Sequence, residues 1–213
     1  GIPEPDGVWG LPYHAHNVIF GLGGALMAGD AGIGLELGRP LVDRAETQDK
    51  AHPVMQLLSS AGYFALARFD DPAAVLARPE PKLPYLKAAR NYARGEVFAK
   101  TSDLVGLRTE IAALEKFEAP ATGPKDSKAP VQMVGIVREV LMGRLAMAEG
   151  RWADAEAAFR KAAEIEETDD FMRFSDPPAF WYPVRRDVAA ARAAAGDQAG
   201  ALIELEASLK LRP

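Results

Sequence analysis

The stretch that most restricts how this chain can fold is Gly150-Arg151-Trp152-Ala153-Asp154-Ala155-Glu156-Ala157-Ala158-Phe159-Arg160-Lys161-Ala162-Ala163. It reads as a turn followed by the second helix of a helical hairpin. Ala155, Phe159 and Ala162 recur at spacings of four and three, which places them on one helix face. Small residues at the ends of that face let a neighbouring helix come close, and the Phe fills the gap between them. Gly143 lies seven residues before Gly150, inside the apolar helix Val137–Ala148. A small residue there lets two antiparallel helices cross tightly.

The rest of the chain reads as further helix pairs. Gly1–Leu11 is rich in Gly and Pro and is expected to be irregular. Pro12 opens a helix that runs through Tyr13-His14-Ala15-His16-Asn17 to about Ala28, where Gly29-Asp30 breaks it. A second helix follows from Ala31 towards Glu46, loosened by Gly34, Gly38 and Pro40. Each helical glycine costs roughly 1 kcal/mol, so something is expected to pack closely against this pair. His52-Pro53 starts the helix Val54–Arg68, whose short partner Pro72–Ala77 is stopped by Pro79, Pro81 and Pro84. A third pair begins near Pro84, with Ser102-Asp103 at its turn and Leu107, Ile111 and Leu114 on one face of its second helix. Ala119–Lys128 has the composition of a mobile surface linker. Pro130–Glu167 is the pair built around Gly143 and Phe159. An aromatic and Pro-rich insert, Thr168–Tyr182, precedes the last pair, which runs from about Pro183 to Arg212 with Ala189, Ala201, Leu205 and Ser208 at matching places.

Composition removes several function classes. With 25 basic and 30 acidic residues the net charge is −5, which leaves no basic footprint for nucleic acid. There are no cysteines, so disulfides, thiolate metal sites and cysteine nucleophiles are excluded. No apolar run approaches the roughly 18 residues of a membrane-spanning helix, and Gly1–Asp6 is no signal peptide. The missing initial Met points to a processed chain or a fragment. The compartment stays open between the cytoplasm and, where a signal peptide has been removed, the periplasm.

The small–aromatic–small pattern of Gly143, Ala155, Phe159 and Ala162, with Pro213 closing the last pair, resembles the tetratricopeptide repeat (TPR). The last two pairs are offset by 46 residues, Ala155 to Ala201, against a TPR period of about 34; the surplus is the insert. The resemblance is specific over Gly135–Pro213 and implies an all-α solenoid of about five antiparallel helix pairs with a right-handed superhelical twist. It divides the chain into divergent hairpins over 1–118, a linker over 119–129, and two clearer hairpins over 130–213 with the insert at 168–182. The runner-up architecture is an irregular helical bundle with two such hairpins at its end. A solenoid needs polar end caps, and none follows the last pair, so an end-to-end homo-oligomer is a further expectation.

The family also implies a concave groove, lined by the first helices, that holds a protein or peptide. Carried over residue by residue, its lining includes His16, Ile19, Gly23, Leu26 and Met27, then Ala89, Tyr92, Glu96, Ala99 and Lys100. It continues with Val137, Val140, Arg144, Met147 and Ala148, and ends with Pro183, Arg186, Ala190, Ala193 and Ala194. Ile19 and Gly23 replace the Lys and Asn of the family's carboxylate clamp, which speaks against chaperone-tail binding.

Two clusters suggest alternatives. His14 and His16 are imidazoles two residues apart, and imidazole is the commonest metal ligand. In a helix they point about 200° apart. An extended Tyr13–His16 with His52 or a carboxylate would bring both to one ion; otherwise His16 is a polar groove residue at a helix start and His14 is exposed. The second cluster is Phe180-Trp181-Tyr182 on a Pro-stiffened loop, followed by Arg185 and Arg186. It serves either as a recognition surface for a carboxylate or phosphate or as a plug between the last two pairs. The acidic run Glu164–Asp170 reads as a solvated helix end. No nucleophile motif stands in a suitable setting. The reading is a binding scaffold without chemistry or cofactor. Its partner-binding residues are His16, Tyr92, Arg144, Trp181, Tyr182 and Arg186, and the alternative is a metal- or small-molecule-binding domain, part of an enzyme, centred on His14, His16 and the aromatic loop.

Overall fold

Backbone punctuation sets the elements. The computed structural model describes residues 13–121, 123 and 125–211. The irregular segment expected over Gly1–Leu11, the helix start at Pro12 and the closing Pro213 lie outside them. Among the described residues the protein is all-helical, with eleven helices and a single isolated bridge between Ser175 and Pro178.

Helix α1 (His14–Ala28) ends at Gly29, whose φ of 75° lies in the left-handed region that glycine adopts without strain. The Asp30 carboxylate then accepts from the Ile33 N–H at 3.0 Å and starts α2 (Ala31–Thr47). Pro53 opens α3 (Pro53–Phe69), and Pro72 opens the six-residue α4 (Pro72–Ala77), where the Asp71 carboxylate accepts from two backbone N–H groups. Next come α5 (Pro84–Lys100), α6 (Leu104–Glu115) capped by Asp103, and α7 (Ala129–Ala148). Gly150, with φ 71°, turns the chain into α8 (Trp152–Glu166). The insert contributes one turn, α9 (Asp169–Met172), before α10 (Arg185–Ala194) and α11 (Gln198–Leu211).

Neighbours in sequence pack in space: α1 on α2, α2 on α3, α5 on α6, α7 on α8 and α10 on α11. Between these pairs α3 lies along α5, α5 along α7, and α8 along α10. Helix α3 does not form a true hairpin with α4. Three prolines at 79, 81 and 84 stop α4 too early to cover it, and α3 packs on α2 and α5 instead. One buried cluster runs from Val18 in α1 to Ala191 in α10, so the core is continuous across the 119–129 segment. The end of that segment is tied down: Asp170 accepts from Ser127 Oγ at 3.0 Å and from the Lys128 N–H at 2.7 Å.

Close approach explains the helical glycines. A Cβ on Gly34 would stand 2.8 Å from the Phe69 ring, and one on Gly38 3.1 Å from Ala65. The loss of helix propensity in α2 is therefore offset by contact with α3. The tightest seam is α7 on α8, where the fully buried Phe159 ring lies over Gly143, with Ala155 and Ala162 buried on the same face.

Gly143→Ala should cost about 1–3 kcal/mol in urea unfolding, because the added methyl collides with the Phe159 ring. Gly24→Ala, in an exposed part of α1 with no atom within 4 Å, should be neutral or stabilise by up to about 1 kcal/mol. Equal effects at the two sites would contradict this packing.

Candidate functional site

The insert is the element that builds the site. Its approach is fixed by the acidic run, which is not the solvated helix end that its composition predicts. Glu166 is buried and accepts from the Val184 N–H at 2.8 Å. Glu167 takes a two-pronged bond from Arg185 at 2.6 and 2.8 Å, and Arg185 also donates to Glu204 at 2.7 Å. Arg185 is thus a structural clamp joining the end of α8, the start of α10 and α11, rather than a free helix-face charge.

Beyond this anchor the aromatic loop turns inward. Phe180 is fully buried, with its ring centroid 5.5 Å from Phe64 of α3, 6.1 Å from Tyr92 of α5 and 4.9 Å from Tyr182. Such aromatic pairs contribute about 0.5–1.5 kcal/mol beyond the area they bury. The loop reaches further than the space between the last two pairs. Pro177 lies against Gly23 of α1, and the loop's Pro178, Ala179 and Trp181 face Ile19 and Leu26 of α1 and Leu58 and Ala61 of α3. Of the α1 face that the sequence assigned to an open groove, Ile19, Gly23 and Leu26 are covered by the protein's own chain, whereas His16 and Met27 stay exposed.

What remains open is a cavity of about 730 Å³ walled by α3, α5, α7, the insert, α10 and α11. At its floor sits Arg144. Its guanidinium donates to Asp187 at 2.7 and 3.2 Å, to Glu96 at 3.2 Å and to the Tyr182 hydroxyl oxygen at 3.0 Å. The Tyr182 hydroxyl in turn donates to Asp187 at 2.5 Å. Burial opposes the charge on Arg144, but Glu96, Tyr182 and Asp187 outweigh it, and the guanidinium is held well above its ordinary range. Burial, reinforced by the Asp187 carboxylate, pushes the Tyr182 hydroxyl well above its ordinary 10.0; burial and Glu96 do the same to Tyr92.

The rim is different in character. The Arg68 guanidinium lies 4.4 Å from the centre of the Trp181 ring. Lys100 donates to the backbone carbonyls of Ala67 and Arg68 at the end of α3, and burial lowers its ammonium from the usual 10.5. Arg186 is exposed on α10. The apolar wall comes from alanines of α10 and from Ala201, Leu202 and Leu205 of α11.

Tyr92, Arg144, Trp181, Tyr182 and Arg186 are thus brought together around one cavity. Arg68, Phe64, Asp187 and the α11 leucines are wall residues that the sequence reading did not name. Arg68 ends an amphipathic helix like any last-turn cation, and nothing local marks it. Other assigned groove residues lie elsewhere: Ala89, Val137 and Val140 are buried core, because their faces meet neighbouring helices. His16 is away from the cavity, exposed on α1 with its ring 4.2 Å from that of Phe20. The helix begins at His14, so the extended arrangement that would turn His14 and His16 to one side is not adopted. His52 accepts from the Val54 N–H as the cap of α3. Among the described residues no group of three His, Asp or Glu side chains is arranged to hold a metal ion. None of the helices is long and apolar enough to cross a membrane, among the described residues. Comparisons with protein-family models, curated proteins and solved structures give no match.

Two outcomes follow from the floor of the cavity. Arg144→Ala leaves Glu96 and Asp187 without their cation and should destabilise by about 3–5 kcal/mol, read from the urea midpoint. Raising the pH tests the tyrosines. An unfolded tyrosine ionises near 10, whereas Tyr92 and Tyr182 hold their protons to higher pH. The contribution of these tyrosines to stability should therefore be level below about pH 10 and fall above it, since the unfolded chain loses protons first. Tyr182→Phe should make that fall shallower by up to about 1.4 kcal/mol per pH unit, and an unchanged slope would count against the assignment.

Proposed function

We propose that this chain is a TPR-like helical scaffold that binds a protein or peptide segment in the cavity beneath the aromatic insert, without chemistry of its own. In this reading the helix pairs stack with a right-handed superhelical twist, and α3, α5, α7 and α10 present their faces to the inside. The order of packing supports it: α3 lies along α5, and α5 along α7. The small–aromatic–small seam of Gly143, Ala155, Phe159 and Ala162 supports it too.

The observation that carries the binding reading is the cavity itself. It is open, has a volume of about 730 Å³ and combines buried aromatic rings, an apolar helical wall and a few charged groups. That mixture of apolar lining and sparse polar groups is the usual make-up of a recognition site. The same volume suits a small organic molecule, which is the second reading.

A selection from a random display library of peptides about twelve residues long should enrich binders on the wild-type chain. Ala190→Trp, at an exposed position on the cavity wall, should retain them at least about tenfold less while its circular dichroism stays unchanged. No enrichment, or equal retention by both chains, would overturn the peptide reading and favour the small molecule.

A further inference from the structure

The charges around the cavity divide into those the protein uses and those it leaves over. Arg144 is consumed by Glu96 and Asp187. Arg68 has only ring contacts, with Trp181 and Phe69, and Arg186 has no hydrogen bond or ion pair among the described residues. Lys100 donates to two backbone carbonyls and has no carboxylate partner within bonding distance. The wall therefore carries four cations against two carboxylates in a chain whose net charge is −5. Elsewhere most of the described arginines are matched: Arg39 to Asp70, Arg78 to Glu46, Arg160 to Glu156 and Arg185 to Glu167. Three unmatched cations at one opening, in an otherwise acidic protein, complement an anion.

The apolar half of the opening continues past the rim. Leu202 and Leu205 line the cavity and are 57% and 42% exposed. Leu209, 65% exposed, follows at a spacing of four on the same face of α11. This stripe leads from the cavity outwards along a helix whose outer side is covered by no other described element. A small anion would satisfy the cations and leave the stripe bare. A purely apolar segment would cover the stripe and bury Arg68 and Arg186 unpaired.

We infer that the occupant is an acidic peptide segment with apolar residues between its carboxylates. The carboxylates meet Arg68, Lys100 and Arg186, and the apolar side chains follow Leu202, Leu205 and Leu209. This inference rests on the peptide-binding reading above. It specifies internal acidic side chains, so blocking the peptide's own C-terminal carboxylate as an amide should not matter. Charge complementarity of this kind sets partner choice and association rate more than bulk affinity.

The test uses the same random library on the intact chain and on the double variant Arg68→Glu, Arg186→Glu. Both residues are exposed and carry no ion pair among the described residues, so the variant should keep its unfolding midpoint. The wild-type pool should become acidic and leucine-rich. An amidated peptide from it should lose at least about tenfold in affinity between about 50 mM and 300 mM NaCl. The double variant should retain that pool about tenfold less and enrich basic peptides instead. Polyglutamate, which lacks apolar residues, should bind at least about tenfold more weakly than the selected peptide. A neutral or basic wild-type pool that Ala190→Trp still abolishes would overturn this inference and leave the peptide-binding reading standing. Polyglutamate binding as tightly as the selected peptide would overturn it as well. No enrichment on any chain would overturn both.

Discussion

The site depends on one half-buried guanidinium. Arg144, on α7, stands where α5, α10 and the insert meet, and each of those three addresses it with an oxygen. Taking that cation out of water is costly, and only the combined bonds of Glu96, Asp187 and Tyr182 make it tolerable. The geometry is correspondingly rigid, because a planar fork bonded to three residues has little freedom left. Through the bonds to Asp187 the network ties α7 to α10 at the floor of the cavity.

The insert does two jobs that composition alone cannot separate. Its inward ring, Phe180, completes the core among Phe64, Tyr92 and Tyr182. Its neighbour Trp181 faces the cavity and carries Arg68 on its ring. Phe180 is fully buried while Trp181 lines the cavity, so consecutive residues of the loop serve as core and as wall. The sequence reading posed plug and recognition surface as alternatives; Phe180 plugs the core, and Trp181 lines the open cavity.

Local chemistry was legible in the sequence and distant pairing was not. Helix ends could be read because Gly29, Asp30, Pro72, Asp103 and Gly150 act within a few residues of themselves. The Gly143–Phe159 seam could be read because it lies inside one hairpin. Five of the six residues that the sequence proposed for partner binding share one cavity, whereas His16 stands apart, because the insert covers the neighbouring inner face of α1. The role of Glu166 was missed because its partner, the Val184 N–H, comes from a loop whose path no periodicity encodes. The Arg144–Asp187 bond joins residues 43 positions apart, and each looks alone like an ordinary helix charge.

The contact between Pro177 and Gly23 has a consequence for how the molecule comes into being. In a plain stack of hairpins each unit touches only its neighbours, and the first can be finished as soon as the second exists. Here residues 154 positions apart lie against each other, and the loop that covers α1 belongs to the last quarter of the chain. A ribosome makes α1 before the insert, at a rate of about 5–20 residues per second. The apolar face of Ile19, Leu26 and Ala61 therefore waits, uncovered, for roughly ten seconds or more until the insert has emerged. The N-terminal pair is synthesised well before the loop that covers it.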